Sequence, residues 1–185
     1  MNLRKKPKGK NRQNSRKYGL TLFDNLQKGL GFVPNLYAYF AKNETALGDY
    51  LALQNRKSTL KAKEREVINL VTSQINNCLY CQSAHTLIGK MNGFSEEQII
   101  ELRKGTATFD SKLDALVKFA ASVVANKGKA AVSAKEAFFQ AGYNEANMID
   151  VVLVIGDKII SNYIHNLTDF AIDFPIATPI EQELV

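Results

Sequence analysis

Leu113-Asp114-Ala115-Leu116-Val117-Lys118-Phe119-Ala120-Ala121-Ser122-Val123-Val124 is the stretch whose reading decides the fold. Leu113, Leu116, Val117, Ala120, Val123 and Val124 recur at intervals of three and four, which draws one apolar stripe along a helix rather than the alternation of a strand. Pro7, Pro34, Pro175 and Pro179 all lie outside residues 35–174, so the strongest helix breaker is missing from the body of the chain. Start signals flank the apolar stretches: Ser95 with Gln98 and Ser133 with Glu136 have capping-box spacing. Stop signals match them, with Gly105, Gly128 and Gly142 placed where a helix ends in a left-handed residue. The chain is predicted to be all-α, with helices near 21–29, 35–41, 44–57, 61–75, 78–92, 96–104, 112–126, 134–141 and 145–168. The last is rich in Val and Ile, and its length favours a buried helix over a strand. Phe32, Tyr37, Tyr39 and Phe40 read as core or interface aromatics.

The 185 residues suffice for one well-packed domain, expected over 18–185 behind an N-terminal tail. The net charge of +6 is concentrated in that tail: residues 1–17 hold eight basic side chains and no acid. Of 24 basic residues this leaves 16 against 18 acidic ones, a net −2 for residues 18–185. A like-charged run with almost no apolar side chain cannot offset its ordering entropy by burial, so 1–17 is expected to be disordered. Nucleic acid is expected as a partner only through this tail, where Lys and Arg alone suffice to neutralise phosphate. The basic start is not followed by the apolar stretch of a secretory signal. The longest apolar run, Val151 to Ile155, is far too short to span a bilayer, and Asp150 and Asp157 bracket it. Two cysteines spaced as CxxC do not make the disulfide framework of a secreted chain, and a reducing cytoplasm is expected.

Both cysteines and one of the two histidines fall in Cys78-Leu79-Tyr80-Cys81-Gln82-Ser83-Ala84-His85. Asn76-Asn77 reads as a break and an N-cap, which places the cysteines in the first turn of the next helix. There the unpaired N–H groups and the helix dipole favour an anion by about 0.3–1 kcal/mol, which is less than one pKa unit. A second influence is needed. At 100° per residue Cys78, His85 and Cys81 lie within about 60° of one another on the helix, so His85 is placed to take the proton of Cys81. The spacing also brings the two sulfurs within disulfide reach, which supports attack by Cys81, a sulfenic acid, and its resolution by Cys78. If the chain folds back at Asn76-Asn77, Glu66 lies about ten residues before the turn and His85 about nine after it, at similar heights. A carboxylate on the second ring nitrogen would orient the imidazole as a base. Glu64 is a second candidate on the more solvated side.

Other readings of these residues stand beside this one. Two buried thiols serve as small hydrophobes in many cores. CxxCxxxH supplies three of the four ligands of a structural zinc, and only His165 could bring the fourth. Gln82 after Cys81 excludes c-type haem attachment. His165 and Asn162 read as structural hydrogen-bonding groups on the last helix.

The pattern of Glu66, eleven intervening residues, Cys78, Cys81 and His85 resembles the alkylhydroperoxidase D-like family of the carboxymuconolactone decarboxylase superfamily, in its peroxidase-related branch. The likeness extends over most of residues 20–175. It includes Leu-Lys-Ala-Lys-Glu-Arg-Glu at 60–66, Ala84-His85, Asn92-Gly93-Phe94-Ser95 and Gly31-Phe32-Val33-Pro34-Asn35. The resemblance implies an all-α fold with the CxxC at the N-terminal end of a central helix, assembly as a homo-oligomer, and reduction of hydroperoxides at the expense of an external thiol or dithiol. In that picture Cys81 attacks, Cys78 is its partner, and Glu66 and His85 relay the proton; no cofactor and no metal are implied. The chain departs from alkylhydroperoxidase D proper at Tyr80, where that protein has a second histidine. A neutral phenol donates a hydrogen bond but is a poor base near pH 7, which leaves Tyr80 an auxiliary role. Two alternatives of other kinds are a redox-switched binding module whose basic tail contacts nucleic acid, and a decarboxylase-like enzyme on the same scaffold.

Overall fold

The computed structural model describes residues 31–180 together with residues 23, 24, 27 and 28. The basic tail at 1–17 lies outside the described residues, as does most of the helix expected at 21–29. Eight helices follow, numbered in chain order: α1 Asn35–Phe40, α2 Ala46–Gln54, α3 Ala62–Ile75, α4 Leu79–Met91, α5 Glu96–Arg103, α6 Ser111–Ala125, α7 Val132–Gln140 and α8 Glu145–Thr168. No strand occurs among the described residues. The all-α expectation is met, and so is the preference for a helix in the Val- and Ile-rich segment at 145–168.

Two compact units divide the chain, Met1–Arg56 and Lys57–Val185. In the first, Phe40 stacks on Tyr50 with ring centroids 4.4 Å apart, and the Tyr37 hydroxyl donates to Gln54 Oε1 at 2.7 Å. In the second, α3 is the axis: it packs against α4, α5, α6 and α8. Val67, Ile68, Leu70 and Val71 of α3 meet Ile99, Leu102, Leu116, Val117 and Val151 in one core. Phe138 of α7 lies between Phe119 and Tyr143, with both centroid distances 4.5 Å. The stripe read at 113–124 is buried at Leu113, Leu116, Val117, Ala120 and Val123.

Local chemistry sets the helix ends. Ser95 and Gln98 form the expected capping box at α5, and Asp110 accepts from the N–H groups of Lys112 and Leu113 at 3.0 Å to start α6. Such caps contribute about 0.5–2 kcal/mol each. Gly105 and Gly142 follow α5 and α7 at φ 83° and 89°, a region where a side chain would be strained. The capping box expected at Ser133 and Glu136 does not form. α7 starts earlier, with Ala131 at its N-cap, because the Ala131 N–H is already held by Ser122 Oγ at 2.8 Å. The buried helix expected at 145–168 turns one face inward and the other out. Val151, Val154, Ile155, Lys158, Ser161, Asn162 and His165 face inward, while Ile149, Val152, Ile160, Tyr163 and Leu167 face out.

Candidate active site

The α3–α4 turn builds the site. Asn76 ends α3 and Asn77 takes the left-handed conformation at φ 50°, which a short polar side chain tolerates. The Asn77 N–H then bonds the Gln74 carbonyl and the Cys78 N–H the Ser73 carbonyl, both at 3.0 Å, a Schellman closure of α3. The asparagines were expected to cap the next helix, and they instead close the preceding one. Cys78 is the N-cap of α4: its extended backbone turns the sulfur back to accept from the Cys81 N–H at 3.3 Å. One residue therefore ends the turn, begins the helix and brings its sulfur to Cys81.

Both thiols are free and out of solvent, Cys78 wholly and Cys81 with 2% exposure. His85 lies one turn beyond Cys81, and its Nδ1 is hydrogen-bonded to Glu66 Oε1 across the hairpin. Asn69 Nδ2 donates to the other carboxylate oxygen at 3.2 Å, which fixes Glu66 for the histidine. The Glu66–His85 distance that counting along two antiparallel helices predicted is thus closed to contact. Glu64 points elsewhere, accepting from the Lys61 N–H at 2.8 Å and the Tyr143 hydroxyl at 2.9 Å.

The two sulfurs are electrostatically unequal. The Cys81 thiol is lowered to about 6, first by the hydrogen bond from Cys78 and then by the charges of Lys158 and His85 and a hydrogen bond with Asn162, against the opposing effect of burial. Cys78 is pushed up, first by its hydrogen bond with Cys81 and then by burial, so it keeps its proton. The two shifts run in opposite directions, so the negative charge is favoured on Cys81 and the proton on Cys78.

Lys158 and Ser161 were missed by sequence reasoning. Lys158 is only 2% exposed, and the Cys81 sulfur lies 3.9 Å from Ser161 Oγ, one turn further along α8. Ser161 in turn donates to the Lys158 carbonyl at 2.9 Å. The signal was present: Lys158 occupies the same helical register as Val151, Val154 and Ile155, a core position for a charged side chain. Asn162 Oδ1 accepts from Asn76 Nδ2 at 2.9 Å, and Asn166 Nδ2 donates to the Asn76 carbonyl at 2.8 Å, which ties α8 to the α3–α4 turn.

Tyr80 turns away from this polar side. Its ring packs edge-on to Phe170 and Phe174 at 5.1 and 5.4 Å and lies 5.2 Å from His165. The segment that follows α8 is bound over α4: the Ala177 N–H donates to Ser83 Oγ at 3.0 Å, and Arg103 Nη1 donates to the Thr178 carbonyl at 2.8 Å. His165 is engaged here too, with Nε2 at 3.2 Å from the Phe170 carbonyl. Among the described residues no three His, Cys, Asp or Glu side chains are grouped to hold a metal ion, and no helix is long and apolar enough to cross a membrane.

Residues 40–111 match the carboxymuconolactone decarboxylase family. No curated protein sequence matches the chain. Among solved structures, an uncharacterized peroxidase-related protein from Silicibacter sp. TM1040 is 26% identical with a TM-score of 0.75, over 86% of this chain and 84% of its own. A protein described as an alkylhydroperoxidase AhpD core from Ralstonia eutropha JMP134 is 22% identical with a TM-score of 0.74, over 82% and 83%. The debrominase Bmp8, solved as a cysteine-to-alanine variant with 2,3,4-tribromopyrrole, shares the fold at 16% identity and a TM-score of 0.69, over 94% and 93%.

Proposed function

We propose that the chain is a thiol-dependent peroxidase in which Cys81 reduces a hydroperoxide and Cys78 closes the cycle, a reading supported by the match of residues 40–111 to the carboxymuconolactone decarboxylase family and by the likeness to a peroxidase-related protein. The observation that carries this reading is the inequality of the two thiols: a thiolate on Cys81 beside a protonated Cys78, with an oriented imidazole one turn away. Thiolate is the nucleophile and thiol the later proton donor, so each sulfur is in the state its step requires.

The Cys81 thiolate attacks the terminal oxygen of the hydroperoxide, the O–O bond breaks, and sulfur is oxidised to the sulfenic acid. His85, holding the proton that Cys81 gave up, passes it to the departing alkoxide to release the alcohol; Glu66 holds the ring through Nδ1. Cys78 then attacks the sulfenic sulfur, and its own proton leaves with the hydroxide as water. The resulting Cys78–Cys81 disulfide takes two electrons and two protons from an external dithiol, which restores both thiols. Tyr80 packs against Phe170 and Phe174, which leaves it no part in the proton relay. The compartment suited to this chemistry is a reducing cytoplasm, where the dithiol is regenerated.

The test is consumption of an organic hydroperoxide with a dithiol donor by the wild type, Cys81→Ser and Cys78→Ser. Cys81→Ser is expected to abolish consumption. Cys78→Ser is expected to keep one turnover and leave a trappable sulfenic acid. Full activity in Cys81→Ser, or no Cys78–Cys81 disulfide after peroxide treatment of the wild type, overturns the mechanism.

A further inference from the structure

Arg103, the last residue of α5, is 2% exposed and holds three other parts of the chain. Its Nε donates to Gln74 Oε1 of α3 at 2.9 Å, its Nη2 to Gln82 Oε1 of α4 at 3.1 Å, and its Nη1 to the Thr178 carbonyl at 2.8 Å. All three acceptors are neutral. Glu96, whose charge Arg103 feels, is itself engaged by Lys90 and the Thr178 hydroxyl. Burying a guanidinium without a bonded carboxylate costs desolvation, and an apolar side chain of similar size would serve the stability of the fold as well or better. What an apolar side chain cannot do is hold two carboxamides and a carbonyl with one rigid planar fork.

The Gln82 arm leads to the thiols. A guanidinium only donates, so the carbonyl end of the Gln82 side chain faces Arg103 and its amide nitrogen is left for another acceptor. That nitrogen donates to the Ser73 carbonyl at 3.3 Å. The same Ser73 carbonyl accepts the Cys78 N–H at 3.0 Å. One backbone oxygen thus receives both Gln82, held by Arg103, and the backbone of the residue whose sulfur caps Cys81. Gln74, the next residue after Ser73, is held by the same guanidinium, so the end of α3 is fixed at two successive residues.

We propose that Arg103 is a positioning residue for the thiol pair: through Gln82 and Gln74 it fixes the Ser73 carbonyl, and with it the Cys78 backbone that turns its sulfur onto the Cys81 N–H. Arg103 bonds neither sulfur and acts through the two glutamines. The arm to Thr178 ties the segment after α8 to the same group, which helps to keep the guanidinium in place. The inference rests on the role given to Cys81 in the proposed function, but it concerns how the thiolate is prepared and not the peroxide it meets.

The test is the pH profile of Cys81 modification by a small aromatic disulfide in the full-length protein, with thiolate absorbance followed in parallel and folding checked by circular dichroism. Gln82→Met and Arg103→Met are each expected to raise the midpoint by roughly one unit, an about tenfold loss of thiolate below the midpoint, because a slackened Cys78 backbone weakens the hydrogen bond to Cys81. Arg103→Lys keeps the charge and loses the fork, and is expected to move the midpoint in the same direction. The double variant Arg103→Met/Gln82→Met is expected to shift it no further than the larger single shift, because both changes act through one bond. Ile68→Ala, which loosens the core without touching these bonds, is expected to leave the midpoint in place. An unmoved midpoint in folded Gln82→Met, a wild-type midpoint in Arg103→Lys, additive shifts in the double variant, or an equal shift in Ile68→Ala overturns the proposal. Gln82→Met alone decides it if the Arg103 variants fail to fold. Absence of peroxide consumption by the wild type, with the midpoints moving as expected, overturns the peroxidase reading and supports this one.

Discussion

Replacing Cys78 with alanine removes the largest influence that holds the Cys81 thiol below its ordinary value. At pH 7 a thiol titrating at about 6 is roughly 90% thiolate, and one returned to ~8.5 is roughly 3%, so that return lowers the reactive population about 30-fold. The rate falls much less. A more basic thiolate is a better nucleophile, and with a Brønsted slope of ~0.4–0.5 a rise of ~2.5 units returns roughly 10- to 18-fold. The net loss at pH 7 is therefore about two- to three-fold, while the midpoint of the pH profile moves up by about 2.5 units. In the variant Lys158, His85 and Asn162 still hold the Cys81 thiol down, and its burial still pushes it up. The assay is the rate of Cys81 modification by a small aromatic disulfide from pH 4.5 to 10, with the ultraviolet absorbance of the thiolate followed in parallel. Cys78→Ser serves as the control that keeps an oxygen acceptor at the start of α4. A wild-type midpoint near that of a free thiol, or a Cys78→Ala midpoint equal to that of the wild type, refutes the reasoning.

Stability should follow the same two thiols. The folded value of Cys81 lies below its unfolded one, so its contribution is complete above ~8.5 and is lost as pH falls through about 6. Cys78 is shifted the other way and withdraws stability once pH rises above the ordinary thiol range. Urea midpoints are expected to climb between pH 5.5 and 8, and the climb should disappear in Cys81→Ala. Lys158→Met is expected to raise the midpoint of the Cys81 pH profile with far-ultraviolet circular dichroism unchanged; an unmoved midpoint would remove Lys158 from the site. Ile68→Ala, at a fully buried position of α3, should cost about 2–5 kcal/mol in denaturant unfolding, and a cost under about 1 kcal/mol would contradict the central place given to that helix.

The helices were legible because their signals are local. Ser95 with Gln98, the glycines after α5 and α7, and the absence of proline each act within one turn, and the structure places them as read. The meeting of Glu66 and His85 was legible for a different reason: a tight hairpin makes height along the helix a matter of counting residues from the turn. Reading failed where one residue type serves two purposes. Asparagine both caps helices and tolerates left-handed backbone, and at Asn76-Asn77 the second property won because α3 needed closing. At Ser133 a tertiary bond from Ser122 to the preceding backbone decided the start of α7, and no local pattern encodes it. Lys158 and Ser161 escaped because their approach to Cys81 depends on how α8 is rotated against the α3–α4 turn, some 80 residues away in sequence. The hint was the register, a lysine among core positions.

The capped sulfur of Cys78 also bears on how long the oxidised protein would last. In the reduced state it accepts the Cys81 N–H and shares a proton with the neighbouring thiolate, and Lys158 and His85 add their charge to the same anion. Each of these contacts stabilises the dithiol, and a disulfide forfeits most of them. A protein that stabilises its reduced form to this extent makes its disulfide a strong oxidant, quick to give up its oxidising equivalents to any dithiol that reaches it. In the proposed cycle the helix start that prepares Cys81 for attack would thus also set the direction of electron flow, inward from the reductant and onward to the substrate.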